Sequence, residues 1–185
     1  MRLLLAISAL LSLSWFALAQ DPEPQPVAPV TVILVRHAET AGDTSGGGSR
    51  DPELSVEGAA RAMRLAKLFA HAGVSHVFTS EFKRTQLTAG PLAKLAGKEA
   101  VVVSARDTKA QLEQLRALPA GSVAVVCGHS NTVPGMATEL GGKLTRLEQH
   151  PQYGGMLPHS DYSRIYVLTL PGGKGAAPHA VELSY

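Results

Sequence analysis

The sequence predicts an α/β fold, namely a three-layer α/β/α sandwich with a largely parallel central sheet. Short apolar segments alternate along the chain with amphipathic segments of helical period, and this alternation is typical of a parallel sheet covered by helices on both faces. Residues 31–35 and 123–127 consist entirely of apolar or β-branched residues. Strands that are buried on both faces have this composition.

The first elements follow from hydrophobic period and capping residues. Residues 31–35 predict the first strand, and residues 41–53, with four glycines, predict a long mobile loop. Apolar residues then recur at helical spacing between 59 and 70. Ser55 is a suitable N-cap for this helix, and Gly73 is a suitable stop.

The same signals predict the rest of the sandwich. In order, we expect a strand at 74–79, a helix at 84–95 ended by Gly97, a strand at 101–103, a helix at 108–118 and a buried strand at 123–127. A short helix capped by Asn131 or Thr132 should follow and end at the glycines 141 and 142. Two late strands are expected at 164–170 and 180–184.

The beginning of the chain predicts export. In residues 1–19, Arg2 precedes an apolar run that ends in Ala-Leu-Ala, which is the small-x-small pattern of a signal peptide cleavage site. The alternative is an uncleaved membrane anchor, but the run is short for a bilayer span, which needs about 20 residues. We therefore expect a periplasmic or secreted protein without a stable anchor. Residues 20–29 are a Pro-rich linker, and residues 30–185 form a single domain.

Composition excludes some partners. Without the predicted signal peptide, 16 basic residues face 15 acidic ones, and no basic stripe suggests a nucleic-acid partner. Cys127 is the only cysteine, so the domain has no internal disulfide and must be stabilised by its core.

Two histidines follow predicted strands directly. His37 comes after the first strand and beside Arg36, whereas His129 comes after the strand 123–127 on a Gly turn. Because ligands bind beyond the carboxyl ends of parallel strands, both imidazoles are expected at one site. Each histidine could instead simply end its strand and hydrogen-bond to a loop, but the two together favour a functional site.

Four segments carry a resemblance to a known family: residues 34–40 (LVRHAET), 54–58 (LSVEG), 79–89 (TSEFKRTQLTA) and 128–131 (GHSN). In this order they resemble the motifs of the histidine phosphatase superfamily, the phosphoglycerate mutase-like proteins. The resemblance covers residues 31–134. Ala38 stands where many members have Gly.

The resemblance implies a phosphatase in which His37 is the nucleophile, and Arg36, Arg84 and His129 form the phosphate pocket. Phosphoryl transfer spreads charge over three equatorial oxygens, and arginine offers planar, permanently charged donors for them. His129, if protonated, would add a third cation. No metal or cofactor is implied. Taken alone, Arg84 could be a solvated residue on a surface helix.

Other site residues follow less directly. Asn131 and Thr40 are further candidate donors to phosphate oxygens, although Asn131 could equally be a helix cap. Asp107, which follows a strand and lies 23 residues after Arg84, is the candidate general acid. It could instead form an ion pair or cap a helix. Glu81 and Asp161 are the alternative acids.

Three other functions compete with hydrolysis. They are a phosphoglycerate mutase-type phosphotransferase, a non-catalytic phosphate-binding domain on the same fold, and a metal site that uses the two histidines. Arg36 would repel a metal cation, and neither histidine belongs to a ligand-spaced cluster. The expected substrate is a small phosphorylated molecule or a phosphoprotein. The segments 41–53 and 143–163, which we expect to set specificity, carry no readable code.

Overall fold

The computed structural model describes residues 27–42, 50–172 and 177–185. Its strands are β1 (Val30–Arg36), β2 (His76–Thr79), β3 (Ala100–Val102), β4 (Val123–Gly128), β5 (Glu148–His150), β6 (Gly154–Met156), β7 (Arg164–Leu170) and β8 (His179–Ser184). Its helices are α1 (Val56–Leu68), α2 (Lys83–Ala96), α3 (Thr108–Arg116) and α4 (Thr132–Glu139). The predicted signal peptide and most of the linker lie outside the described residues.

The central sheet has six strands in the order β3-β2-β4-β1-β7-β8. The pairs β1–β4, β2–β4 and β2–β3 are parallel, whereas β7 and β8 add an antiparallel edge. The carboxyl ends of β1, β2 and β4 therefore meet at one edge. This topology confirms the predicted largely parallel sheet.

Two hydrophobic cores lie on opposite faces of the sheet. On one face, Leu65 of α1 and Leu92 of α2 pack against Ile33 of β1. On the other face, α3 and α4 contribute Leu115 and Met136 to a second core. Side chains alternate between the two faces along each strand, so β1 is buried on both sides. The three predicted layers are confirmed.

Local signals predict most element ends within a few residues. Ser55 caps α1, since its hydroxyl accepts a hydrogen bond from the Gly58 amide at 3.1 Å. The helix ends at Leu68, earlier than the predicted stop at Gly73, because tight i to i−3 turns follow: the amide of Ala72 donates to the Phe69 carbonyl at 3.1 Å. Gly97 ends α2 in the left-handed conformation, as predicted.

The hairpin of β5 and β6 was not predicted. It lies in the segment 143–163, for which the sequence indicates no strand. Both strands are only three residues long, and β5 is fully exposed, so neither shows the apolar alternation that predicts a strand. Within the described ranges, no helix combines the length and apolarity needed to span a bilayer.

Candidate active site

Strand pairing brings the two predicted histidines together. Arg36 and Gly128 are partners in the β1–β4 register, so the next residues, His37 and His129, emerge side by side at the sheet edge. Their ring centroids are 5.4 Å apart, and the rings meet edge to face. Gly128 is needed there, since a Cβ at this position would lie 2.9 Å from the Thr132 hydroxyl.

Hydrogen bonding fixes the tautomer of His37. Its Nδ1 lies 2.8 Å from the Ala38 carbonyl oxygen, which can only accept, so Nδ1 carries the hydrogen. In the neutral ring, Nε2 is then the unprotonated nitrogen. The backbone is held as well: the amide of His37 donates to the Gly128 carbonyl at 2.9 Å, and the amide of Ala38 donates to the Thr88 hydroxyl at 2.9 Å. The ring of His37 and the backbone around it are therefore both held by hydrogen bonds.

His129 is buried and neutral in this arrangement. The pKa of His129 is lowered to about 3, first by burial, then by the positive charge of His37 when that ring is protonated and by the charges of Arg84 and Arg36. Its Nε2 lies 2.9 Å from the hydroxyl of Ser80, a residue that the sequence did not single out. The protonated form of His129 thus requires a compensating negative charge, such as that of a phosphate group.

Arg36 is held by a single turn of the chain. Its Nη1 lies 3.0, 2.9 and 3.1 Å from the carbonyl oxygens of Pro158, His159 and Asp161, and its guanidinium carbon lies 4.0 Å from the centre of the Tyr162 ring. Arg36 is only 4% exposed. Arg36 does not line the cleft that the histidines line, yet its charge contributes to the lowered pKa of His129.

Arg84 approaches the histidines from the start of α2. Its guanidinium carbon lies 4.2 Å from the centre of the Phe82 ring, and this ring meets His129 edge to face at 5.3 Å. Its Nη1 lies 3.7 Å from a carboxylate oxygen of Asp51. Asp51 also accepts a hydrogen bond from the Lys83 amide at 2.9 Å. Arg84 lines the same cleft as the two histidines, and its side chain is only 17% exposed. Its role in phosphate binding stays a prediction.

A cleft of about 1090 Å³ opens above these residues. Its inner end is lined by His37, Phe82, Arg84 and His129, and its outer part lies between the start of α3, one side of α4 and the β5–β6 hairpin. Of the predicted phosphate ligands, Asn131 also lines it. Asn131 takes the N-cap position of α4 but makes no capping bond with its side chain. Thr40 instead pairs with Leu54 in an isolated bridge and does not line the cleft.

The structure does not bring the candidate general acids into the cleft. Asp107 is exposed and caps α3 through a 3.0 Å bond from the Ala110 amide. Glu81 accepts from the amide of Ala105 at 2.8 Å, and Asp161 pairs with Arg164 at 2.6 Å. None of these three carboxylate residues lines the cleft. Position in the sequence could not distinguish a cap from an acid, and the acid role of Asp107 stays a prediction.

The second motif serves packing. A Cβ on Gly58 would collide with the carbonyl oxygen of Glu39, so only glycine lets α1 approach the loop that follows His37. Arg61 of the same helix reaches back to the Glu39 carboxylate at 2.7 Å. The glycine of the LSVEG segment thus allows α1 to support the histidine loop from outside the site.

Comparison with known proteins agrees with this geometry. The sequence model of the histidine phosphatase superfamily (branch 1) matches residues 32–107, which carry His37 and Arg84. Over this segment the chain is similar to the histidine phosphatase superfamily. Among curated protein sequences, none matches the chain significantly.

Solved structures share the fold of this chain at low identity. A protein histidine phosphatase SixA complexed with tungstate is 19% identical, with a TM-score of 0.60 over 83% of this chain and 96% of its own. A mycobacterial glucosyl-3-phosphoglycerate phosphatase complexed with VO3 is 14% identical, with a TM-score of 0.60 over 83% and 98%. A mycobacterial hydrolase is 15% identical, with a TM-score of 0.61 over 82% and 96%.

Proposed function

We propose that this protein is a phosphatase that hydrolyses a phosphate monoester or a phosphoprotein through a phosphohistidine intermediate on His37. The orientation of His37 carries the proposal. With Nδ1 bonded to the Ala38 carbonyl, the neutral ring presents Nε2 as a nucleophile. The match of residues 32–107 to the superfamily model supports the same chemistry. The similar solved structures are phosphatases or a hydrolase, which favours hydrolysis over the mutase and binding alternatives.

The reaction takes two steps. In the first, Nε2 of His37 attacks phosphorus, the bond from phosphorus to the leaving oxygen breaks, and the leaving group departs with the bonding electrons and takes up a proton. In the second, water attacks phosphorus, the bond from phosphorus to Nε2 breaks, and phosphate is released together with neutral His37. Arg84 and Arg36 supply positive charge beside the nucleophile, where it stabilises the equatorial oxygens of the transferred group.

A bound phosphate changes the protonation of His129. The pKa of His129 is lowered to about 3 by burial and by neighbouring positive charge. A phosphate dianion in the pocket offsets the neighbouring positive charge and so favours the protonated ring of His129. His129 would then become protonated when phosphate binds and donate a hydrogen bond to a phosphate oxygen. Asn131 lines the same cleft and can donate from its amide.

The proposal includes metal independence and export. Arginine side chains placed beside the histidines disfavour a cation, and within the described residues no three His, Cys, Asp or Glu side chains group as metal ligands would. Export rests on the signal-like residues 1–19. It is tested by mass spectrometry of the protein recovered outside the cytoplasm, which should begin at or near Gln20; an intact Met1 there would contradict it.

Replacing His37 tests the central proposal. His37→Ala should abolish hydrolysis of nitrophenyl phosphate and also remove the phosphoenzyme that can be trapped by rapid quenching. The trapped species should be labile in acid and stable in base, as expected of a phosphoramidate. The matched control is His71→Ala, since His71 is exposed after α1 and outside the cleft. Near-wild-type turnover by His37→Ala would overturn the mechanism.

A further inference from the structure

The turn that holds Arg36 is itself held by a partly buried ion pair. Asp161 supplies one of the three carbonyls that accept from Arg36, and its own side chain points to Arg164. Nε of Arg164 donates to a carboxylate oxygen of Asp161 at 2.9 Å, and Nη2 reaches the same oxygen at 2.6 Å. The other carboxylate oxygen of Asp161 lies 3.3 Å from the Ser163 amide. One residue thus contacts Arg36 with its backbone and Arg164 with its side chain.

Arg164 is well placed to fix this turn. It begins β7, whose next residue, Ile165, pairs with Val35 of β1. Its side chain is only 7% exposed, and Nη1 also donates to the Thr145 carbonyl at 2.9 Å. The guanidinium is therefore anchored to the sheet that carries Arg36.

The contacts of this pair make the turn sensitive to substitution. A second carboxylate, that of Glu182 on β8, lies 3.4 Å from Nε of Arg164. Removing the Asp161 carboxylate leaves Arg164 with Glu182 as its carboxylate partner and removes the side-chain contact that ties the turn to β7. The turn can then move. Such a movement shifts the carbonyls that orient Arg36. A misplacement of about 1 Å at a reacting centre can cost roughly 10²-fold in rate.

We propose that the Asp161–Arg164 pair is a positioning device for the phosphate site, acting through Arg36. Asp161 and Arg164 are positioning residues, because neither of them lines the cleft that His37 lines. The inference rests on the proposed function, because it assigns Arg36 to the transferred phosphoryl group. It also gives Asp161 a role other than that of general acid.

The test compares two carboxylates on the same guanidinium. Asp161→Asn removes the carboxylate of the residue whose backbone carbonyl contacts Arg36. The control, Glu182→Gln, removes the carboxylate on β8, whose residue does not contact Arg36. We expect Asp161→Asn to lower kcat/KM for nitrophenyl phosphate by roughly 10–10²-fold, and Glu182→Gln to stay near wild type at a similar Tm. Equal losses in both variants would overturn the proposal, as would unchanged activity in Asp161→Asn.

A second measurement separates positioning from general destabilisation. In an Arg36→Lys background, Asp161→Asn should add little further loss, because its effect runs through Arg36. The same double-mutant cycle can be measured without turnover, from the affinity of each variant for tungstate by calorimetry. Additive losses in affinity would refute the inference. If Asp161→Asn does not fold, Arg164→Lys takes its place in the cycle. That substitution keeps the charge but removes the contact that two nitrogens make with Asp161.

The two proposals fail in different ways. If the wild-type protein binds tungstate but forms no phosphoenzyme, the proposed hydrolysis is wrong, while the tungstate cycle still decides the role of Asp161. If hydrolysis is normal but the cycle is additive, the positioning role alone is wrong.

Discussion

Asp107 offers a sharp test, because its sequence position and its structural contacts predict different results. A general acid at this position would protonate the leaving oxygen, whereas the structure gives its carboxylate a capping bond to the Ala110 amide at 3.0 Å. The perturbations are Asp107→Asn and Asp107→Ala. The first keeps a side chain that caps helices about as well as Asp, and the second removes the cap.

The expected magnitudes follow from the capping contact. Loss of an N-cap costs about 0.5–2 kcal/mol, so Asp107→Ala should destabilise the protein by about 1 kcal/mol. For a domain of this size, that lowers Tm by about 2–4 °C. Asp107→Asn should be close to wild type in Tm. Since the carboxylate does not line the cleft, both variants should keep near-wild-type kcat/KM on every substrate.

The assay pairs an alkyl phosphate with nitrophenyl phosphate. An alkoxide leaving group needs a proton in the transition state, whereas nitrophenolate is stable without one. A general acid is worth about 10²–10⁴-fold. If Asp107→Asn lost that much on the alkyl substrate and little on nitrophenyl phosphate, the capping interpretation would be refuted and Asp107 would be the acid.

The other predictions concern charge in the pocket. Arg84→Ala should cost on the order of 3 kcal/mol of transition-state stabilisation, the scale of one preorganised donor; unchanged kcat/KM would place Arg84 outside the mechanism. EDTA should leave activity intact, while vanadate or tungstate should inhibit; loss of activity restored by a divalent metal would revive the metal hypothesis. Because the pKa of His129 falls from 6.5 to about 3 on folding, its neutral form contributes stability above pH 6.5 that is lost as the pH falls towards 3. The free energy of unfolding should change by up to about 1.4 kcal/mol per pH unit in this range. His129→Gln should lack this contribution when unfolding by urea is followed at several pH values; an unchanged slope would contradict the lowered pKa.

The sequence alone determined the fold class and the centre of the site. Apolar runs at residues 31–35 and 123–127 predict buried parallel strands, and parallel strands bring the residues that follow them to one edge. This argument places His37 and His129 together without reference to any tertiary contact, since it depends only on local hydrophobic pattern and general topology. Local capping chemistry likewise predicts the roles of Ser55 and Gly97.

The tertiary structure alone decided how the carboxylates and Arg36 are used. Asp107, Glu81 and Asp161 are alike as sequence signals, yet one caps α3, one accepts from a loop amide and one pairs with Arg164. The carbonyls that hold Arg36 lie more than 120 residues away in the chain. A backbone carbonyl has no side-chain identity, so no residue pattern marks it as a partner, and only the packing of β7 beside β1 brings it within reach.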